Sequence, residues 1–221
     1  MSTVRASSPS KPKVIFLDAV GTLFGIKGSV GSVYADQAAQ FSVSADSDQL
    51  DRAFYKSFKA ASPMAFPKAT PTEVPHLEYL WWKKIAAQTF ERAGVMAQFA
   101  DFERFFSQVY HQFSTAAPWV LYPDTLTSLT RWQRLGIELG VISNFDSRLY
   151  SVLEALGLSS YFQSVTISAE VGAAKPDRAM FATALQKHSA SAGQAWHVGD
   201  SYREDFQAAQ TAGLFGIWLR R

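Results

Sequence analysis

Short apolar runs alternate with helical stretches throughout the second half of this 221-residue chain. After Tyr122, apolar runs fall at residues 137–142, 165–168, 196–199 and 214–219, and the stretches between them show helical periodicity. Strands that alternate with helices of this length imply a parallel sheet with right-handed crossovers. The alternation therefore predicts an α/β fold in which helices cover a Rossmann-like, doubly wound parallel sheet.

An apolar run near the start of the chain predicts one more strand, buried on both faces in the middle of that sheet. The run covers residues 14–17 and ends on Asp18, and Gly21 and Thr22 follow as a turn. Because open α/β sheets bind ligands at the carboxyl ends of their strands, Asp18 points to a site there. Where a second acid would complete a nucleophile and general acid pair, two residues later, the chain has Val20.

The segment that follows this strand predicts helices and loops and no convincing strand. Its apolar spacing favours helices near residues 47–60, 76–93 and 101–113. We therefore predict a helical cap domain at residues 25–115, inserted into an α/β core domain of residues 13–24 and 116–221. Residues 1–12 are polar and are predicted to form a disordered tail.

Composition excludes several classes of function. The formal net charge of +2 is spread along the chain, so we expect no nucleic-acid partner. The chain has no cysteine, which excludes disulfides and thiolate nucleophiles. No apolar stretch approaches the roughly 18 residues needed to span a bilayer, so we expect no membrane association. These features favour a cytoplasmic protein with a small-molecule partner, and they leave its oligomeric state open.

Polar residues at four places in the α/β part are expected to meet in one crevice at the sheet edge. They are Asp18, the pair Ser143 and Asn144, Lys175 before Pro176, and Asp200 after Gly199 with Asp205 nearby. A carboxylate can act as a nucleophile, a lysine can neutralise charge, and a hydroxyl can bind substrate oxygens. The oxygens of Asp18, Asp200 and the Val20 carbonyl suit Mg²⁺, with Asp205 as a direct or outer ligand.

Taken together, these motifs resemble the haloacid dehalogenase-like (HAD) superfamily over the chain from Lys13 to Leu219. The resemblance implies that Asp18 is a covalent nucleophile and that Ser143 and Lys175 bind the transferred group. It adds Thr22 and Asn144 as substrate contacts and Asp200 as a ligand of Mg²⁺. The expected reaction is hydrolysis of a small, anionic phosphorylated metabolite, and the predicted helical insertion resembles the small helical cap of that superfamily.

Val20 departs from the phosphatase pattern and leaves alternatives open. Most phosphatases of this superfamily have an acid there that protonates the leaving oxygen, a contribution of ~10²–10⁴-fold. The 2-haloacid dehalogenases, which the Asp-Ala-x-Gly-Thr-Leu opening resembles, have Tyr there and need no metal. Phosphonoacetaldehyde hydrolases have Ala there and use a cap lysine, for which Lys27, Lys56 or Lys59 is available. A weakly active or non-catalytic binding protein on the same scaffold is a third alternative.

Other polar and aromatic residues near these motifs favour structural roles. We interpret His197 as a core histidine inside its predicted strand, and Trp81 and Trp82 as packing residues of the cap. Arg148 is predicted to lie at the surface, and the alternative is that it clamps an anionic substrate. Glu204 and Asp205 are both candidates for a solvated acid at the start of a helix.

Overall fold

The computed structural model describes residues 11–221. The first ten residues of the predicted tail at 1–12 lie outside the described residues. The strands are β1 (Val14–Leu17), β2 (Phe24–Ile26), β3 (Trp119–Leu121), β4 (Glu138–Ser143), β5 (Ser164–Ile167), β6 (Ala195–Gly199) and β7 (Phe215–Trp218). The helices are α1 (Val30–Ala39), α2 (Ser47–Ala60), α3 (Val74–Arg92), α4 (Phe102–Gln112), α5 (Thr125–Arg134), α6 (Arg148–Ala155), α7 (Ser168–Val171), α8 (Arg178–Lys187) and α9 (Ala208–Thr211). A π-helical turn at Tyr202–Gln207 leads into α9.

Five strands form a parallel sheet in the order β5-β4-β1-β6-β7. β1 lies at the centre, with β4 on one side and β6 on the other, so the chain reverses its winding direction next to β1. This arrangement confirms the predicted doubly wound sheet. It also places the crevice between the two halves of the sheet at the carboxyl end of β1.

Alternate side chains of β1 build the two faces of the core. Ile15 and Leu17 pack in one buried cluster with residues of α5 and α6. Val14 and Phe16 pack in a second cluster with residues of α8 and α9. Because successive side chains of a strand point to opposite faces, a fully apolar strand requires helices on both sides. The sheet is therefore the middle layer of three.

Helices α1 to α4 form a separate group between β2 and β3. They share one buried cluster rich in aromatic side chains, which includes Tyr34, Phe54, Phe90, Phe105 and Phe106. Asp46 and Asp101 cap the amino ends of α2 and α4 by accepting hydrogen bonds from backbone N–H groups. The helical character predicted for residues 25–115 is confirmed, while the domain boundaries given above stay a prediction.

Two short strands at the edges of the helical group were not predicted from the sequence. β2 and β3 pair antiparallel, with Phe24 opposite Leu121 and Ile26 opposite Trp119. They bring the two ends of the helical segment side by side, directly after the turn that follows Asp18. This pairing fixes where the helical group stands relative to the carboxyl edge of the sheet. Within residues 11–221, no helix is both long enough and apolar enough to cross a membrane.

Candidate active site

Seven of the eight predicted site residues line one cavity at the carboxyl edge of the sheet. They are Asp18, Val20, Ser143, Asn144, Lys175, Asp200 and Asp205. Asp18 follows β1, Ser143 ends β4, and Asp200 follows β6, so three neighbouring strands supply the polar groups. The eighth residue, Thr22, is buried outside the cavity wall, and its hydroxyl lies 3.5 Å from Oδ1 of Asp200. Its predicted contact with substrate stays a prediction.

Lys175 is the buried cation at the centre of the site. Its Nζ donates to Oδ1 of Asp18 at 2.7 Å, to Oδ1 of Asp205 at 2.5 Å and to the carbonyl of Ile142 at 3.0 Å. All three donor positions of the ammonium group are thereby used. A buried lysine is tolerated only when it is paired and hydrogen-bonded in this way. Burial lowers the pKa of Lys175, but the two carboxylates outweigh burial and hold that pKa above its usual range.

Asp205 is the second carboxylate that binds Lys175. Its carboxylate accepts hydrogen bonds from Lys175, from Nε2 of His197 at 2.9 Å and from the backbone N–H of Ser201 at 2.9 Å. Burial raises the pKa of Asp205, yet Lys175 and His197 together bring it well below the usual range. The carboxylate fits there because position 199 is glycine: a Cβ on Gly199 would lie 2.1 Å from the carboxyl carbon of Asp205.

His197 is fully buried, as predicted for a core histidine. Burial lowers the pKa of its imidazole, and Nε2 donates a hydrogen bond to the carboxylate of Asp205. Its Nδ1 has no hydrogen-bond partner among residues 11–221. We therefore assign His197 to the support of Asp205, without direct contact with the cavity.

Asp18 keeps one carboxylate oxygen available. Oδ1 accepts from Lys175, whereas Oδ2 accepts no hydrogen bond from residues 11–221. Burial raises the pKa of Asp18, Lys175 lowers it, and the nearby charges of Asp205 and Asp200 raise it again, to about 6. The group is therefore mostly ionised at neutral pH, as a nucleophile must be.

Ser143 and Asn144 follow one another at the end of β4 but differ in their contacts. The Ser143 hydroxyl lines the cavity and makes no hydrogen bond within residues 11–221, so it is available to a ligand. The Asn144 side chain instead spans the backbone of Lys175, accepting from its N–H at 2.7 Å and donating to its carbonyl at 3.0 Å. Nδ2 of Asn144 also donates to Glu204 at 3.2 Å. Through these contacts Asn144 positions Lys175, and its predicted contact with substrate stays a prediction.

The acidic residues of the site fit a divalent cation. Oxygens of Asp18, Asp200 and Asp205 lie within 4.8 Å of one another. Three carboxylates face the single positive charge of Lys175, which leaves an excess of two negative charges in a partly buried site. Asp200 as a whole residue is exposed, but its carboxyl group points into the site and is partly buried. This partial burial, and after it the charge of Asp205, raises the pKa of Asp200. Hard oxygen ligands and excess negative charge are the conditions that favour Mg²⁺.

The turn after Asp18 is shaped to admit Asp200. Gly21 has φ of +87°, and a Cβ at this position would lie 2.5–2.8 Å from the carboxylate atoms of Asp200. Glycine is therefore required at position 21 for two reasons, its backbone angle and the close approach of the Asp200 carboxylate. The Val20 carbonyl accepts no hydrogen bond from residues 11–221, so it is free to contribute as a ligand.

A network of polar side chains beyond the cavity was missed by the sequence reasoning. Arg148, predicted at the surface, has a side chain only 10% exposed and forms an ion pair with Asp146. Nε1 of Trp82 donates to the same carboxylate at 2.5 Å. Glu78 accepts from the backbone N–H of Ser147 at 2.9 Å and from its hydroxyl. The network ties α3 to the loop after β4, and only Asp146, which closes the Ser-Asn-Phe-Asp run, gave a local signal.

The cavity has a volume of about 350 Å³ and extends from Asp18 between the sheet edge and the helical group. The sheet side supplies the acidic residues, Ser143 and Lys175. The opposite side is formed by aromatic and aliphatic side chains of α1, α2, α3 and α4. The helical group therefore covers the polar site with mainly apolar side chains.

The fold and this site define an α/β enzyme whose acidic residues stand at the carboxyl edge of a doubly wound parallel sheet, under a helical cover. A family model described as haloacid dehalogenase-like hydrolase matches residues 12–213. The chain belongs to this family of hydrolases, as its motifs predicted.

Known proteins and structures agree with this assignment. The chain is 33% identical over 207 residues to haloacid dehalogenase-like hydrolase domain-containing protein 3 of Mus musculus, covering 91% of this chain and 79% of that protein. Its structure is similar to a HAD phosphatase from Thermococcus onnurineus, with a TM-score of 0.62, 21% identity, and coverage of 95% of this chain and 86% of that one. It is also similar to L-2-haloacid dehalogenase from Xanthobacter autotrophicus, with a TM-score of 0.67, 18% identity, and coverage of 92% and 75%. At these identities the two structures show a shared fold alone.

Proposed function

We propose that this protein hydrolyses a small phosphate monoester through a covalent aspartyl phosphate on Asp18, with Mg²⁺ as cofactor. The observation that carries the proposal is the geometry of Asp18. One of its oxygens is fixed by Lys175 at 2.7 Å and the other is open to the cavity. A carboxylate held in this way has a defined direction of attack and a neighbouring positive charge to stabilise the transferred group.

In the first step, Oδ2 of Asp18 attacks phosphorus and the bond from phosphorus to the leaving oxygen breaks, so that the leaving group departs with the electron pair. Lys175 stabilises negative charge on the phosphoryl oxygens while it remains paired with Asp205. The Ser143 hydroxyl donates to another of those oxygens. In the second step, water attacks phosphorus and the bond from phosphorus to Oδ2 breaks. This regenerates the Asp18 carboxylate and releases inorganic phosphate, which keeps the protons of the water.

Asp18, Asp200 and the Val20 carbonyl would hold the cation. Bound Mg²⁺ supplies neutralisation and alignment of the phosphoryl oxygens. We assign Asp205 to an outer position, because its carboxylate already accepts three hydrogen bonds. Its work is to orient Lys175 and to keep that ammonium group charged.

Two features weigh against the alternative of metal-independent dehalogenation. Asp200 adds a second open carboxylate to the site, which has no use in a reaction that needs no metal. A haloacid also carries its own carboxylate, and the charge of Arg148, the one cation of the cavity besides Lys175 among residues 11–221, is already paired with Asp146. The retained ion pair of Asp18 and Lys175 likewise argues against a non-catalytic scaffold.

Phosphate release from acetyl phosphate, with and without Mg²⁺, tests the proposal, because this substrate needs no proton on its leaving group. We expect turnover that requires Mg²⁺ and is lost in Asp18→Asn. The matched control is Asp36→Asn, which changes a carboxylate on α1 away from the cavity. Chloride release from 2-chloropropionate in the absence of metal, or full activity of Asp18→Asn, would refute the proposal.

A further inference from the structure

We propose that the leaving group of the substrate is a phenolate, an oxygen anion on an aromatic ring, so that the substrate is an aryl phosphate; this rests on the phosphatase function proposed above. Two independent features of the molecule lead to it. One is the chemistry of the cavity wall opposite Asp18, and the other is the absence of a proton donor at Val20.

The cavity wall is rich in aromatic side chains. Ten of the 23 lining residues are Phe, Tyr or Trp. The part of the wall contributed by residues 25–115 contains no charged side chain. Phe58 of α2 is stacked on Trp82 of α3, with ring centres 5.9 Å apart and an angle of 24° between the planes. Such a wall offers an aromatic ring both stacked and edge-on contacts.

The charged groups of the cavity are not placed to bind a second polar group of the substrate. All the carboxylates and Lys175 belong to the sheet edge, where the phosphoryl group would sit. Arg148 is the one cation beyond that edge among the lining residues, and its charge is already paired with Asp146. It donates twice to Asp146 and once to the Tyr110 carbonyl, and its guanidinium carbon lies 3.8 Å from the centre of the Tyr110 ring.

The only polar side-chain groups of the wall contributed by residues 25–115 are the hydroxyls of Tyr34, Tyr55 and Tyr110 and Nε1 of Trp82, and the last already donates to Asp146. A sugar, an amino acid or a second carboxylate would therefore lose more water contacts than this wall replaces. Each unpaired polar group buried in that way costs about 1–3 kcal/mol. An aromatic ring has no such groups, and it gains from removal of its surface from water. The wall thus selects the ring over the polar leaving groups that most small phosphate esters carry.

Val20 leads to the same leaving group by a separate argument. An aliphatic alcohol is about as weak an acid as water, whose pKa is 15.7, and must be protonated as it leaves. A phenol has a pKa of about 10, as in tyrosine, so phenolate can depart as the anion. Val20 itself lines the cavity and continues the apolar wall down to Asp18. An aryl leaving group accordingly needs neither a polar wall nor an acid at this position.

A panel of four phosphates separates ring recognition from leaving-group acidity. Acetyl phosphate has a good leaving group and no ring, phenyl and 2-naphthyl phosphate have rings of different size, and glycerol 3-phosphate has a polar aliphatic alcohol. With Mg²⁺ we expect kcat/KM to be about tenfold higher for 2-naphthyl than for phenyl phosphate, since the two phenols are of similar acidity and differ in apolar size. Glycerol 3-phosphate should be the poorest substrate.

Two variants of the helical group provide the structural control. Phe58 and Leu80 are both 43% exposed, but Phe58 lines the cavity and Leu80 does not. Removal of one aromatic contact corresponds to about a threefold to tenfold loss. In Phe58→Ala we expect the kcat/KM ratio of 2-naphthyl phosphate to acetyl phosphate to fall by that factor, and in Leu80→Ala we expect the ratio to be unchanged.

The outcomes distinguish this inference from the function on which it rests. Turnover of acetyl phosphate with no preference for either aryl phosphate, or an equal ratio in Phe58→Ala and the parent protein, would overturn the aryl proposal and leave the phosphatase function standing. Absence of Mg²⁺-dependent phosphate release from all four compounds would overturn both. If Phe58→Ala does not fold, Phe58→Leu keeps the packing and removes the ring, and the same fall in the ratio is expected.

Discussion

Replacement of Val20 by aspartate should give the site the proton donor that it lacks. Val20 is partly exposed and lines the cavity together with Asp18 and Asp200. Because like charges repel, the surrounding carboxylates favour the protonated form of a new carboxyl group at this position. The protonated form is the one that a general acid requires. The cost in stability is small, because loss of a partly buried valine costs less than ~1.5 kcal/mol against a typical total of ~5–15 kcal/mol.

The size of the effect follows from the chemistry. A positioned acid contributes ~10²–10⁴-fold, and we predict the lower end because the geometry of the new carboxyl group has not been selected. Val20→Asp should therefore raise kcat/KM for glycerol 3-phosphate about 100-fold, equivalent to about 2.7 kcal/mol of barrier. The values for phenyl and acetyl phosphate should change little, because those leaving groups need no proton.

The assay is steady-state phosphate release, and kcat/KM is the parameter to compare because it reports the first chemical step. Val20→Asn is the matched control, since asparagine has the same shape but cannot transfer a proton. An equal rise for all substrates, or the same rise in Val20→Asn, would refute the reasoning that Val20 marks a missing acid. Thermal unfolding of both variants confirms that they are folded.

Three further substitutions test the supports of the site. Lys175→Met leaves two buried carboxylates without their partner, so phosphate release should become undetectable and stability should fall by about 3–5 kcal/mol in urea unfolding; an active variant would contradict its role. Gly21→Ala should destabilise the protein and reduce its Mg²⁺-dependent activity more than Gly94→Ala does. Both glycines have positive φ, but only at position 21 would a Cβ lie against Asp200. Burial raises the pKa of Glu78, with the Ser147 hydrogen bonds opposing it. Its carboxylate is therefore disfavoured on folding, and its contribution to stability falls as pH rises above the unfolded value of about 4.3. Urea unfolding should show Glu78→Gln gaining relative to the parent protein between pH 4 and pH 7, and a pH-independent difference would contradict this.

The parallel sheet and the edge that carries the site could be predicted from sequence because both depend on local pattern. The apolar run at residues 14–17 can be satisfied only with helices on both faces, and Asp18 then falls at the carboxyl edge. The same rule placed Ser143 and Asp200 beside it. These are consequences of strand periodicity and of the crossover rule, and they need no knowledge of tertiary contacts.

The missed features depend on contacts between segments that are distant in the chain. β2 and β3 have three residues each and are separated by more than ninety residues, so neither carries a pattern of its own. The sequence predicts Arg148 at the surface, yet α3 and α4 cover it. Asp205 is predicted from the sequence as a direct or outer ligand of the metal, and only the fold shows its three hydrogen bonds to the protein.

The cavity wall is another feature that depends on contacts between distant segments. Trp81 and Trp82 are adjacent, and both are predicted from the sequence to pack the cap. In the structure Trp82 lines the cavity, whereas Trp81 packs against Phe58 and donates to the carbonyl of Ser62. Which of two neighbouring aromatic residues faces a ligand depends on how α3 is rotated against α2 and the sheet, and the local sequence does not fix this rotation.

The most direct test of the central claim is detection of phosphorylated Asp18 by mass spectrometry after rapid acid quenching with acetyl phosphate and Mg²⁺. Because Val20 cannot activate water for the second step, we predict that the aspartyl phosphate accumulates during turnover. The modification should map to the peptide that contains Asp18 and should be absent in Asp18→Asn. Sustained phosphate release without any modification of Asp18, or with the phosphoryl group on another residue, would contradict the account.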